Sequence, residues 1–441
     1  MKIKQTPFLF IIYTLAMQLA ACGVNTPMPT ATATIEPSLT PSAIPTSTES
    51  QPTPSSTVPV PTLTPYAISI SSPPNGLHMA YIIDGNLYFQ NGDNPPLQLT
   101  HSEEDWNILF FSENGEKIFF LRGTNPPFDL YSINTDGSEE QILVTNKLLR
   151  AFDASYNESA GFHNVTIVPR THFLLFSTDE TQSNGRLFWN GDLLVVDTET
   201  GEIKRLLPRG QIHKFYVSPD GRLIALDTIG TVDVIDLGGN IIKQNLLTYT
   251  PSEPSFLAPG IWWMPDSKGL IILLPVQTYF EVGYSPAYSV WRYALDDGRG
   301  LQVLLDPFPM NVYRAQISPD GNRIIYNNDD QYAFYIGDLR AGNTQLYLPK
   351  TFAFHDFWSW NSENEHFVYS TAPGNTLYLG SVSESPKRIG QGDFLGWIDA
   401  NSYLYYVDKN VVLGEVNGSK EIILVDHEFF NNPAVFTFIL P

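Results

Sequence analysis

A single cysteine, Cys22, stands in a chain of 441 residues. One thiol excludes an intramolecular disulfide, and with it any centre that needs several thiolate ligands, such as a zinc ion held by four cysteines. Cationic residues are also scarce: 25 Lys and Arg face 46 Asp and Glu, a formal net charge of −21 with a sequence pI near 4.6. Phosphate backbones and anionic lipid surfaces are held by clustered Lys and Arg, so nucleic acid is excluded as a partner. Local catalytic signatures are missing too. There is no G-x-S-x-G nucleophile elbow and no S-x-D-x-G-x-T-W box, and the eight histidines include no HExxH and no i, i+4 pair. Asp329 and Asp330, in "NNDDQ", lack the oxygen-ligand spacing of a calcium loop and read as a solvated turn. The sequence gives no ground for a cofactor or a metal.

What is present begins at the N-terminus, "MKIKQTPFLFIIYTLAMQLAACG". Lys2 and Lys4 form a positive n-region, and Pro7 to Leu19 form an apolar core too short for a transmembrane span. Residues 1–21 therefore read as an export signal. Its end, "LAAC" at Leu19 to Cys22, resembles the lipobox of bacterial lipoproteins. That resemblance implies cleavage before a diacylglyceryl-modified Cys22, so that the membrane is a partner through the lipidated cysteine, with two or three acyl chains giving stable anchoring. The expected location is the cell envelope, facing outward.

Residues 22–65 are almost wholly Thr, Pro, Ser and Ala, with only Glu36 and Glu49 charged. Such a segment cannot bury enough apolar surface to offset its ordering entropy and reads as a disordered linker. Its prolines bias it toward polyproline II at about 3.1 Å per residue, enough to hold a domain on the order of 100 Å from the membrane.

From residue 66 to 441 one pattern recurs: apolar strand, tight polar turn, apolar strand. The turns are "SPPNG" (Ser72 to Gly76), "SENG" (Ser112 to Gly115), "PRTH" (Pro169 to His172), "SPDG" (Ser218 to Gly221), "MPDSKG" (Met264 to Gly269), "SPDG" (Ser318 to Gly321), "NSENE" (Asn361 to Glu365) and "IDANS" (Ile398 to Ser402). Proline presets φ, Asp or Asn bonds to the local backbone, and Gly takes positive φ, so Asp220 and Asp320 read as turn formers rather than acids. Two further apolar strands follow in most units. Four short antiparallel strands repeating in this way, none able to bury both faces alone, predict an all-β β-propeller of eight blades, or seven if the irregular "PRTH" unit is an insertion. Hydrophobic residues precede the turns: Val217, Ile317, Trp263 before "MPDS", Trp360 before "NSEN" and Trp397 before "IDAN". This opening resembles the TolB-like, WD-like propeller repeat. A last strand, "AVFTFIL" at Ala434 to Leu440, is expected either to latch the ring near the first blade or to replace another strand.

With strands lettered A to D from inside out, antiparallel order puts A–B and C–D connections on one face and B–C and D–A connections on the other. The long excursions, 146–163, 178–191, 248–260 and 275–288, all map to the second face. Long loops on a rigid scaffold are where recognition resides. The aromatic residues expected to bind a ligand there are Trp189, Tyr279, Phe280, Tyr284 and Tyr288, while Trp262, Trp358 and Trp360 read as core. The sequence thus predicts a monomeric binding scaffold for an envelope protein, peptide or glycan. The alternative is an envelope hydrolase or lyase at the central channel, whose residues distant blades would supply.

Overall fold

A strand covered on both sides is largely apolar, and the second strands of the repeats follow this: Ile118 to Phe120, Ile224 to Leu226 and Ile324 to Tyr326 are apolar and buried without a break, and burial continues through Asp227, Asn327 and Asn328. The computed structural model describes residues 76–440 apart from 125–127, 153–159, 182–186, 189–190, 229, 251–258, 277–286, 310–314, 329–332, 350–354, 372–374, 409, 419–420 and 427–435. The regular structure of the described residues is almost entirely strand, arranged as eight antiparallel sheets.

Blade 2 shows the plan, with Asp105–Phe111 as A, Lys117–Arg122 as B, Asp129–Asn134 as C and Gln141–Val144 as D. Blades 3 to 8 follow in chain order, their A strands being Ala160–Ile167, Lys214–Val217, Gly260–Trp263, Gln316–Ile317, His355–Trp360 and Asp393–Trp397. Blade 1 is made from both ends of the described chain. Its B, C and D strands are His78–Ile83, Asn86–Asn91 and Leu97–Gln98, and its A strand is Phe436–Ile439, paired antiparallel with His78 to Tyr81. The final strand therefore latches the ring; of the expected turn at Ser72 to Gly76, all but Gly76 lies outside the described residues. The "PRTH" unit is a full blade, so the count is eight.

No blade owns a core. Ala80 and Ile82 pack with Ile108, Ile118 and Phe120 of blade 2, whereas Met79 and Tyr81, on the other face of the same strand, pack with Leu404, Val411 and Leu413 of blade 8. The same division recurs at every junction: eight apolar clusters fill the eight blade–blade interfaces. Each fully buried aliphatic side chain contributes roughly 1.5–3 kcal/mol, half of it lost to a blade whose neighbour is missing on one side. The ring is an eight-bladed β-propeller.

The A–B turns repeat one hydrogen-bond scheme. In blades 2, 4, 5, 6 and 7 the first turn residue donates its N–H to the carbonyl of the sixth, and the fourth donates to the first. The fourth residue has positive φ: Gly115, Gly221, Ser267, Gly321 and Asn364. Asp220 accepts from Ser218 Oγ at 2.7 Å and from Arg222 N at 3.1 Å, and Asp320 accepts likewise from Ser318 Oγ and Asn322 N. Burial alone would raise both carboxyls, but these donors outweigh it and hold their pKa below the ordinary value. Both are turn formers, as expected.

Where a side chain replaces glycine in the fourth position, it ties two blades together. Ser267 Oγ accepts from Asp220 N at 3.1 Å, and Asn364 Oδ1 accepts from Asp320 N at 2.9 Å. The tryptophans immediately before the turns do the same: Trp263 Nε1 donates to Tyr216 O at 2.8 Å and Trp397 Nε1 to Ser359 O at 3.3 Å. Trp360 is core at the blade 6–7 junction and Trp262 packs against the blade 5–6 cluster, as expected. The side chain of Trp358 lies outside the described residues.

Candidate functional site

Connection lengths separate the two faces. Those between A and B and between C and D run from four to six residues in every blade whose A and B strands are consecutive. On the opposite face they run from one residue, Gly392, to fifteen, 145–159. The expected long excursions are partly ordered strand and helix. Asn146–Phe152 is a helix and Ala160–Ile167 a strand, Phe173–Thr181 extends through the start of the second excursion, and Gly269–Val276 and Ala287–Ala294 extend into the fourth.

Tyr288 is part of that extension. It is 1% exposed and packs with Ile271, Leu273 and Val290 at the blade 5–6 junction, so its ring belongs to the core and not to a recognition surface. The register pairing Pro275 with Tyr288 carries the hairpin two residues further than turn composition indicated. Trp189, Tyr279, Phe280 and Tyr284 lie outside the described residues, as do Asp329 and Asp330.

An aromatic pair that sequence reasoning missed stands on the same face. Trp106 is 51% exposed and stacks on half-buried Phe128, ring centroids 5.3 Å apart and planes 15° from parallel. Phe128 immediately precedes strand C of blade 2, and Trp106 lies at the start of strand A, where the register with strand B slips between Asp105 and Asn107. Such a bulge inserts an extra residue and re-aims its side chain, which is how a strand residue comes to stand in solvent. The next residue, Asn107, has a buried Oδ1 with no hydrogen-bond partner among the described residues. Below the bulge the backbone is fixed. Asp105, buried, accepts from Leu87 N at 3.2 Å, from Ser102 Oγ at 2.9 Å, from Thr100 Oγ1 and from Arg122 Nε at 2.5 Å. The Arg122 guanidinium lies over the Tyr131 ring at 4.4 Å and bonds Glu140 at 2.5 Å. Burial works against its charge, but the Glu140 and Asp105 carboxylates outweigh that and push its pKa up. The helix beside the pair is pinned by a 2.7 Å bond from Asn146 N to Asp129, and it presents Leu148 to solvent while Leu149 is buried. The signal available in the sequence was Trp106 itself, an indole amid "SEEDWN" where a strand entering the core has no use for it.

A second cluster lies at the same rim of blade 4. Asp227, fully buried at the end of strand B, accepts from His213 Nδ1 at 3.0 Å and from Tyr249 OH at 2.5 Å, with Lys214 facing it across the A–B register. Burial pushes the Tyr249 phenol up, aided by the Asp227 charge, and pushes Lys214 down against that charge. The flanking blades stand taller: strand B is Leu223–Asp227 in blade 4 but Phe173–Thr181 in blade 3 and Gly269–Val276 in blade 5. At about 3.3 Å per residue the neighbouring B strands run on the order of 10 Å further than that of blade 4.

A rigid propeller with one stitched face and one uneven, aromatic-bearing face is the class of protein these features define. Several solved structures are similar to it in fold. It is similar to a prolyl endopeptidase (12% identity over 75% of this chain and 51% of that one, TM-score 0.50). It also resembles the β-propeller domain of the Trilobed protease from Pyrococcus furiosus (13%, 76% and 100%, 0.47) and TolB from Acinetobacter baumannii (15%, 72% and 65%, 0.34). The chain spans about half the length of the endopeptidase. No protein-family model and no curated protein matches the sequence.

Proposed function

We propose that the protein is an exported, lipid-anchored binding scaffold of the cell envelope, which holds a protein, peptide or glycan on the long-connection face of its propeller. The observation carrying this reading is the Trp106–Phe128 pair. A large ring exposed at a bulge over a fully bonded buried network is costly to leave in water and pre-organised for stacking on a ligand. The lipid anchor is Cys22, reached through the 22–65 linker; among the described residues no helix is long and apolar enough to cross a membrane. Secreted Cys22→Ala protein, used to capture partners from envelope extracts and to bind arrayed glycans, is expected to lose its ligand on Trp106→Ala. Half of the indole is already in solvent, so the loss of stability should stay at about 2–4 kcal/mol. Ligand retention by a folded Trp106→Ala protein rejects the site. Palmitate labelling that survives Cys22→Ala rejects the anchor.

One observation favours a second reading, an envelope hydrolase or lyase. Asp227 bonded to His213 is the arrangement that fixes an imidazole tautomer for proton transfer, and here it lies at the end of a B strand shorter than those of both flanking blades. Turnover of envelope polysaccharides or peptides that disappears in His213→Ala while Trp106-dependent binding persists would establish that reading.

A further inference from the structure

The irregular "PRTH" turn keeps the bond from its first residue, Val168 N, to Phe173 O at 2.9 Å but not the bond from the fourth residue to the first, and other groups stand in its place. Arg170 takes the positive φ, and Thr171 Oγ1 closes the turn on Val168 O at 2.7 Å, so His172 is not needed to build it. Its imidazole Nε2 lies 3.4 Å from Oδ2 of Asp197, the last residue of strand C of the same blade. The nearest ligand atoms of His172, Asp197 and Glu199 all lie within 4.8 Å of one another.

We propose that His172, Asp197 and Glu199 form a binding site for a divalent first-row transition-metal ion of the zinc class. Two ligand atoms about 2.0–2.1 Å from a tetrahedral zinc stand about 3.3 Å apart, the separation already present between His172 and Asp197. One imidazole nitrogen with two carboxylates selects such an ion over Mg²⁺ and Ca²⁺, which prefer all-oxygen sets.

The site is pre-organised by bonds that do not use the ligand atoms. Asp197 Oδ1 accepts from Glu199 N at 2.8 Å and Thr200 N at 3.1 Å, which leaves Oδ2 turned to the imidazole. The two turns are tied together where His172 O accepts from Thr198 N at 2.9 Å and Thr198 Oγ1 at 2.7 Å. The His172 ring packs against Phe173, centroids 4.4 Å apart.

Beside the three residues a groove of about 370 Å³ runs between blades 2 and 3, with the acids Glu113 and Glu116 and the cations Lys117 and Arg170 in its walls. Lys117 is paired with Glu139 at 3.5 Å, and Glu113 accepts from Arg170 N at 2.8 Å. Coordination positions not filled by the protein would open onto this groove.

Tag-free, full-length protein stripped of metal and dialysed against Zn²⁺ is expected to retain one ion per chain. Co²⁺ in its place should give the visible absorption of a low-coordinate site. His172→Ala and Glu199→Gln should each weaken uptake about tenfold or more, while their metal-free melting curves match that of the metal-free wild type, since the turn bonds come from Asp197, Thr198 and backbone. An excess of Mg²⁺ or Ca²⁺ should not displace the ion. Absence of a stoichiometric ion in the wild type means a plain His–Asp ion pair and overturns the proposal. Uptake unaffected by His172→Ala, or displacement by Ca²⁺, overturns the ligand assignment.

Discussion

Gly221 and Gly321 occupy the same position of two turns with nearly the same backbone, φ +71° and +70°, and differ in what lies above them. An added Cβ at Gly321 would meet the flexible end of Ile271 at 3.2 Å. At Gly221 it would fall on the backbone of blade 3, 3.0 Å from the carbonyl carbon of Pro169 and closer still to its oxygen. Gly321→Ala should therefore cost little beyond the left-handed conformation, about 1–2 kcal/mol. Gly221→Ala adds an overpacking cost of about 1–3 kcal/mol, for a total of about 2–5 kcal/mol, because a backbone carbonyl cannot rotate aside. Gly201→Ala, at φ +73° with nothing within 4 Å, isolates the conformational part. Urea unfolding followed by tryptophan fluorescence, with midpoints compared at common slope, reads all three. Equal losses at 221 and 321, to within about 0.5 kcal/mol, would refute the claim that backbone contact across blades, and not turn geometry alone, fixes this glycine.

Other perturbations test other parts of the ring. Phe436→Ala removes a buried side chain from the blade 8–1 junction and should cost about 3–5 kcal/mol, with proteolysis first appearing at the strands of blade 1. Arg122→Met leaves buried Asp105 without its cation and should cost about 3–5 kcal/mol, measured by the same urea titration; a loss under about 1 kcal/mol would mean that Thr100, Ser102 and Leu87 suffice to hold the carboxylate. Burial raises the pKa of Tyr81, Tyr249, Tyr326 and Tyr369, and raises Tyr347 to about 12. Their folded pKa values exceed the unfolded value near 10, so this contribution is whole below pH 10 and is lost as pH climbs above it, by up to about 1.4 kcal/mol per unit for each phenol. Phenolate absorbance at 295 nm should then rise together with unfolding; ionisation well ahead of it would contradict the burial.

Most of the fold was legible because its determinants are local. Turns such as Ser218 to Gly221 bond mainly to themselves, and strands such as Ile118 to Phe120 are apolar throughout because both faces are covered, so turn composition and strand hydrophobicity narrow the blade count to eight or seven. Ring closure was readable only as a choice, since nothing in "AVFTFIL" says that its partner is His78 to Tyr81, more than 350 residues away. Sites were harder. Tyr288 resembled a loop aromatic because the hairpin's extension depends on register, not composition. Trp106 owes its exposure to a bulge, which leaves no mark on hydrophobic alternation. His172 and Asp197 are 25 positions apart and meet only because one blade folds its two short connections side by side, a spacing that no metal-binding motif contains.

Because Phe436–Ile439 is the innermost strand of the blade that begins at His78, synthesis order and assembly order disagree. A nascent chain with seven blades out of the ribosome still carries Met79 and Tyr81 unshielded, and it stays an unzipped fan until its final segment is delivered. Any product cut short before residue 436 would lack the inner strand that pairs with His78 to Tyr81 and keep the seam open.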